Sequence, residues 1–354
     1  MKHKILDLFC GAGGLSLGFK NADFEIFGGV EWDEKAMETH TKNFQTSYHF
    51  SGDISKINNN TIKHKLNTVD GIIGGPPCQG FSSANRYLKD EDDPRNALFF
   101  EYLRFVEIIK PKFFVIENVP GILSRDNGFA KNKILEITES YGYNVSVQVL
   151  SSEKYGVPEI RKRAFFIGIR KDLQTHFDFG NLKPIFKNTT VKDAIEDLMQ
   201  IENEQNFNTL FGLNRSPIQE YYFNPNSLQI ENHDIPSHNE KVVERIKYVP
   251  QGGNWRDVPE NLWDTQRNNR HSSAYKRLDF SKPSITIDTG HMNYFHPVFH
   301  RVPTVRESAR IQSFNDNFIF YGSKTQQYRQ VGNAVPPILA EVIAREINSI
   351  LNAI

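Results

Sequence analysis

Two cysteines in 354 residues, Cys10 and Cys78, are too few for a disulfide framework. Thiols this scarce are expected to work as thiols, in a reducing cytosolic setting. No CxxC or HExxH spacing marks a metal site, and none is expected. Neither sign of charge is in excess, with 42 Lys and Arg against 42 Asp and Glu, so the overall balance points to no polyanionic partner. No apolar run is long enough to span a bilayer, and Met1-Lys2-His3-Lys4 leads straight into Ile5-Leu6-Asp7 without a secretory core. The expectation is a cytoplasmic protein without a membrane partner. What remains, 38% hydrophobic and 24% charged residues, describes a globular chain with enough core for one large domain or two ordinary ones.

Charge is uneven locally. Residues 241–310 hold 12 basic and 7 acidic side chains and four histidines (His271, His291, His296 and His300). That is either the electrostatic footprint of a polyanion or a solvated face.

The first 170 residues alternate apolar runs with amphipathic stretches. "KILDLF" (4–9), "EIFGGVE" (25–31), "DGIIGG" (70–75), "KFFVIENV" (112–119), "VSVQVL" (145–150) and "RAFFIGI" (163–169) read as strands buried on both faces. Between them, "DEKAMETHTKNF" and "NALFFEYLRFVEIIK" have helical periodicity, which implies βαβ units and a parallel, doubly wound sheet. From about residue 200 the texture becomes rich in Asn, Pro and Ser without a sustained period, as in an irregular second domain. Helical patterns return in "TVRESARIQSF" (304–314) and "ILAEVIAREINSILNAI" (338–354). The expected division is 1–199, 200–326 and a C-terminal segment, 327–354, that packs back on the first domain.

"DLFCGAGGLSLGF" (7–19) is a strand, a glycine turn and a helix. Gly11 and Gly13 fit a dinucleotide fingerprint, whereas Ser16 stands at its third glycine. Glu31 ends the next strand pattern and Trp32 follows it. An acid there can hold ribose hydroxyls and an indole can cover adenine; taken alone, such a pair is more often a surface acid beside a core Trp. Asp53, after a further strand pattern, lies within reach of an adenine amino group. Their common spacing behind the glycine turn points to an adenosine-bearing cofactor.

"GGPPCQGFS" (74–82) places Cys78 at the carboxyl end of a strand, where open α/β sheets keep their chemistry. Two prolines aim the sulfur, although an arbitrary buried cysteine is more often an inert small hydrophobe. "ENV" (117–119) puts an acid at the end of the next strand pattern, where desolvation favours the proton-donating form. A thiol beside such an acid suits an electron-poor conjugated ring. The thiolate adds, the acid protonates a ring nitrogen, and a neighbouring carbon becomes nucleophilic.

"DLFCGAGG", "GGPPCQGFS", "ENV", "RKRAFFIG", "TVRESARIQSF" and "QVGNAVPP" together resemble the ordered motif series of the DNA (cytosine-5) methyltransferases, of the bacterial restriction-modification type. The resemblance covers nearly the whole chain except about 200–285. It implies an α/β, Rossmann-like fold with a doubly wound mixed sheet and a smaller, irregular target-recognition domain, DNA in the cleft and S-adenosylmethionine as methyl donor. Cys78 then matches the nucleophile on C6 of cytosine and Glu117 the acid at N3, a motif that Asn118 and Val119 complete. Arg161 and Arg163 match the basic pair that supports the acid and the target nucleotide. Phe9, Gly11, Gly13, Glu31, Trp32, Asp53, Ile54, Asn333 and Val335 match cofactor positions. One departure stands out: Glu159 takes the place of the family's usual Gln.

Stacking in a duplex forbids thiol attack from above the ring, so the base must be flipped out. The polar loop 82–96 after Cys78 is the natural lid. Ser82 and Arg95 are its candidate DNA contacts, with an internal ion pair the alternative for Arg95. Sequence reading falls to the irregular region, where Arg267, Arg270, Arg277 and Thr286 are the candidates. The resemblance further implies double-stranded DNA as partner, a monomer, and a companion restriction endonuclease acting on the same sequence without stable association. A tRNA cytosine-5 methyltransferase is the alternative within the same chemistry, but its Cys-Phe-Thr element is absent. A nicotinamide-dependent dehydrogenase would need neither Pro-Pro-Cys nor Glu117, and a non-catalytic DNA-binding module would need neither Cys78 nor Glu117.

Overall fold

A computed structural model describes residues 2–77, 97–201, 213–227, 229–263, 274–290 and 293–354. Cys78, Ser82, Arg95, Arg267 and Arg270 lie outside these residues.

The chain divides into two compact units, one of residues 1–151, 162–184 and 339–354, the other of 152–161 and 185–338. In the first unit, β1 (Lys4–Leu8), α1 (Gly14–Asn21), β2 (Glu25–Glu31), α2 (Glu34–Asn43), β3 (Tyr48–Ser51), α3 (Asn59–Lys65), β4 (Gly71–Gly74), α4 (Ala97–Ile109), β5 (Phe113–Asn118), α5 (Phe129–Ser140), β6 (Tyr143–Ser151) and β7 (Lys162–Arg170) follow in order. The sheet runs β3-β2-β1-β4-β5-β7-β6. Pairing is parallel from β3 through β5. β7 is antiparallel to both its neighbours, so the sheet is mixed. The connection from β6 to β7 carries no crossover helix, and without one the chain can only reverse.

The apolar runs are apolar because both faces of the sheet are covered. Phe113, Phe114, Val115, Ile116 and Ile167 have no exposed surface. β3 and β6 are the edges, and "YHFS" in β3 alternates partly buried and exposed residues instead of running apolar. Order reverses between β1 and β4: the chain steps outward to β2 and β3, then returns to β4 and β5. Ligands of such sheets bind at the carboxyl ends beside that reversal.

The second unit holds short elements: α6 (Val191–Ile195), α7 (Pro217–Tyr222), α8 (Glu240–Lys247), a parallel pair β8 (Lys276–Arg277) and β9 (Tyr294–Phe295), α9 (Val305–Ile311) and α10 (Lys324–Asn333). Much of its interior is ionic. Arg310 lies 2.6 Å from Asp197 and 2.7 Å from Asp316 with its guanidinium fully buried, and Arg301 binds Glu307 through two 2.8 Å hydrogen bonds. These ties correct the expected boundaries. Residues 185–199 group with the second unit because Arg310 holds Asp197 and the carbonyl of Ala194. Residues 327–338 join it because Tyr328 donates to the carbonyl of Pro303 and Gln312 to that of Val331. The C-terminal helix α11 (Pro337–Asn352) contributes 339–354 to the first unit, where Asn348 donates to the carbonyl of Ala22. Among the described residues no helix is long and apolar enough to cross a membrane.

Candidate active site

Behind β1 the backbone turns through positive φ at Phe9 (59°), Gly11 (54°) and Gly13 (105°) before α1 begins. At Gly13 a side chain is excluded twice, by φ and because a Cβ would lie 2.5 Å from the Phe44 ring. A Cβ on Gly11 would meet nothing within 4 Å, so the turn faces open space there. Ser16, at the fingerprint's third glycine, is buried and donates to Asp7 Oδ2 at 2.7 Å; its Oγ lies 3.1 Å from His40 Nε2. A hydrogen-bonded serine thus makes the helix–strand contact. Asp7 Oδ1 is buried without a partner, and burial pushes the Asp7 carboxyl up to about 7, Glu31's charge adding and Ser16 opposing. Burial lowers His40 to about 4. Sequence reasoning missed this trio; the one signal was a carboxylate and a histidine inside otherwise apolar packing positions.

The Glu31 carboxylate is fixed by backbone donors. Oε2 accepts from Gly11 at 2.8 Å, and Oε1 from Trp32 and Asp33, both at 2.9 Å. Of about four lone-pair sites one remains, on Oε2, for a hydroxyl. Trp32 beside it is 70% exposed, an indole with a bare face. Asp53 caps a short turn by accepting from Ser55 and is otherwise partly exposed. Ribose, adenine and an amino group fit these three residues. Ile54 is different: at 3% exposure its side chain belongs to the core, next to Asp53 in the chain.

On the far side of the reversal, β4 is followed by Gly75-Pro76-Pro77 and β5 ends in Glu117-Asn118. Asn118 donates to the carbonyl of Pro76 at 2.9 Å, tying the end of β5 to the proline turn two residues before Cys78. The register of β5 on β7 sets Glu117 against Phe165 and Asn118 against Ala164. Arg163 therefore sits just past the acid, its Nε 2.9 Å from Glu117 Oε1. Glu117 Oε2 packs on Gly75, where an added Cβ would stand 2.9 Å from it. The desolvation expected of Glu117 is met by an ion pair.

Arg161, in the second unit, is 2% exposed and donates to the carbonyls of Ile287 (3.2 Å) and Gly332 (2.8 Å). Its guanidinium clamps chain segments, and its support of a target nucleotide rests on the resemblance alone. Glu159, fully buried, accepts from the Ile287 N–H at 2.6 Å and lies 3.7 Å from Arg161 Nη1, so the substituted Glu faces a countercharge. Thr286 donates to the carbonyl of Ile160 at 2.8 Å. Asn333 is exposed at the end of α10, and Val335 is buried. Arg277 is 4% exposed and bonds the carbonyls of Ile246, Pro297 and Val298 and the ring of His300. In this structure it braces the fold.

Comparison with known proteins follows the same lines. A family model described as C-5 cytosine-specific DNA methylase matches residues 3–349. Type II methyltransferase M.DdeI of Desulfomicrobium norvegicum is 37% identical, the match covering 97% of this chain and 88% of that protein. Type II methyltransferase M1.HphI of Haemophilus parahaemolyticus is 36% identical, over 98% and 87%. A crystal structure of a prophage-encoded E. coli protein, described as a DNA modification methyltransferase, superposes with a TM-score of 0.78 at 30% identity, covering 99% of this chain and all of that one.

Proposed function

The chain belongs to the C-5 cytosine-specific DNA methylase family, and from that premise we propose that Cys78, Glu117 and Arg163 methylate C5 of a cytosine within a specific short sequence of duplex DNA. The observation that carries the residue assignment is the Glu117 carboxylate, held by Arg163 through one oxygen and packed on Gly75 through the other, beside the proline turn that leads into Cys78.

C5 of cytosine is a weak nucleophile. Flipping the base out costs a few kcal/mol of stacking and pairing and exposes C6. The Cys78 thiolate adds to C6, forming a carbon–sulfur bond, while Glu117 delivers a proton to N3. The ring electrons then converge on C5, which becomes enamine-like. S-adenosylmethionine, when bound, supplies the electrophilic methyl group. Loss of the C5 proton to a base expels the thiolate, the N3 proton returns to Glu117, and the aromatic ring is restored. Arg163 keeps Glu117 turned toward the ring throughout. For the cofactor, Trp32 offers a face to adenine, Glu31 a lone pair to the ribose, and Asp53 an acceptor to the amino group, with the Gly11 turn leaving room for the remainder. Phe9, Gly13, Asn333 and Val335 complete the assignment by resemblance.

The two relatives are Type II methyltransferases, which supports a role in restriction–modification. The reading includes an endonuclease cutting the same sequence unless it is methylated, and a methyltransferase acting as a cytoplasmic monomer. Duplex DNA carrying 5-fluorocytosine at the target blocks expulsion of the thiol. Wild type should form a covalent protein–DNA adduct with it in the presence of S-adenosylmethionine, and Cys78→Ser should not. An adduct of undiminished yield in the variant would end the assignment.

A further inference from the structure

The second unit is rich in arginine, yet nearly all of its described guanidinium groups are committed. Arg161, Arg277, Arg301, Arg306 and Arg310 are at most 5% exposed. Arg215 pairs with Glu220 and lies over Phe223, and Arg245 donates to the carbonyl of Leu262 over the Trp263 ring. Arg329, which is exposed, also has a partner. Arg256 stands apart. It is exposed, and among the described residues no carboxylate pairs with it; its guanidinium lies 5.4 Å from the centroid of the Trp255 ring.

The turn that carries Arg256 is rigid. Asn254 accepts from the N–H of Arg256 at 3.0 Å, and the Asp257 carboxylate accepts from the N–H of Asn254 at 2.7 Å, a reciprocal cap that occupies the nearest acid. Gly252 donates to the carbonyl of Arg277 and Arg277 to that of Gly253, both at 3.1 Å, while Trp255 donates to the carbonyl of Ala274. The buried Arg277 side chain anchors that partner strand in turn. So the fold spends one arginine on holding the turn and leaves another at its tip.

We infer that Arg256 reads a guanine of the methylation target from the major groove, with Trp255 holding the guanidinium plane. The inference rests on the reading of the chain as a duplex-DNA methyltransferase. A planar fork of parallel N–H donors matches guanine O6 and N7. Phosphate is the other acceptor an unpaired guanidinium would find, and it too can take the fork bidentately, so the salt slope is part of the test. A guanidinium over an indole, 5.4 Å from its centroid, at the tip of a hydrogen-bonded turn suits a contact to a base edge, where direction carries the sequence information.

The test begins by reading the target sequence by bisulfite sequencing of plasmid DNA from cells making the wild type. kcat/KM is then measured for wild type, Arg256→Ala, Arg256→Lys and Trp255→Leu on the cognate duplex and on duplexes with each base pair replaced singly. Arg256→Ala should lose discrimination at one G·C pair by roughly 5- to 150-fold and keep it elsewhere. Arg256→Lys should not restore it, and Trp255→Leu should weaken discrimination at the same pair. Three results overturn the inference: no change at any position; full rescue by Lys; or a uniform loss across sequences in which the log–log salt slope falls by about 0.9, the mark of a phosphate contact. A wild type that methylates no cytosine in duplex DNA overturns the underlying reading as well, and so is distinguishable from failure of the inference alone.

Discussion

Arg163 and Glu117 form an ion pair at 2.9 Å across neighbouring antiparallel strands, each side chain largely buried. Removing Arg163 takes the ion pair from a largely buried carboxylate. A positioned acid contributes about 10²–10⁴ in rate. Arg163→Ala is expected to lower single-turnover kcat by roughly 100-fold or more on that scale, with S-adenosylmethionine binding retained. Arg163→Lys should recover only part, since a point charge does not hold a carboxylate plane.

Gly75 gives the most selective probe of the same geometry. Its Cβ would stand 2.9 Å from Glu117 Oε2, so Gly75→Ala must turn the acid away or shift the proline turn. kcat should fall at least about tenfold, a cost of about 1.4 kcal/mol in the barrier. The loss should be non-additive: Gly75→Ala in a Glu117→Gln background should cost little more than Glu117→Gln alone, because both act through one carboxylate. Full additivity would show that Gly75 acts through the general fold instead.

Much of this architecture was legible in the sequence where burial is two-sided. The apolar runs around Ile5, Ile72, Phe114 and Phe166 read as strands because helices cover both faces. β3 showed only as a strand pattern ahead of Asp53, since an edge strand alternates, and the reversal at β7 is invisible to periodicity, which carries no direction. The Pro-Pro-Cys, Glu117 and Glu31-Trp32 elements were legible as local patterns. The contact of Asp7 with Ser16 and His40 was not, since residues far apart in sequence meet only in the packed sheet. The same limit hid Arg277: sequence shows an arginine in a basic stretch, and only packing shows that it points inward. Likewise 185–199 reads like more of the first domain until Arg310 claims Asp197.

The Asp7–Ser16–His40 trio makes stability depend on pH in two opposed ways. Asp7 is raised from 3.8 to about 7, so its contribution is full below about pH 4 and is lost as pH rises through 7. His40 is lowered from 6.5 to about 4, so its contribution is full above about pH 6.5 and is lost as pH falls through 4. Each slope integrates to about 3–4 kcal/mol at most, and in the wild type the two offset each other across the same window. Asp7→Asn should expose the His40 slope, with urea midpoints rising from pH 4.5 to 6.5 more steeply than in wild type. His40→Gln should do the reverse, with midpoints falling toward pH 7. Identical pH profiles in all three proteins would contradict the assignment.

Trp32, 70% exposed beside the fixed Glu31 carboxylate, should stack on the adenine of the cofactor. Adding S-adenosylmethionine should quench tryptophan fluorescence, and NAD should not. Trp32→Phe should abolish most of the quench and weaken binding by roughly 1 kcal/mol, the scale of an aromatic stacking contact. A quench that persists unchanged through Trp255 and Trp263 would take the stacking role from Trp32.

The central claim is the atom that receives the methyl group. Wild-type protein is incubated with duplex DNA and methyl-labelled S-adenosylmethionine, the DNA is digested to nucleosides, and the labelled nucleoside is identified by chromatography and mass. The account requires all label in 5-methyldeoxycytidine, at one sequence, with none from Cys78→Ser. Label in N4-methylcytosine or N6-methyladenine, or label that enters tRNA and not duplex DNA, would contradict it.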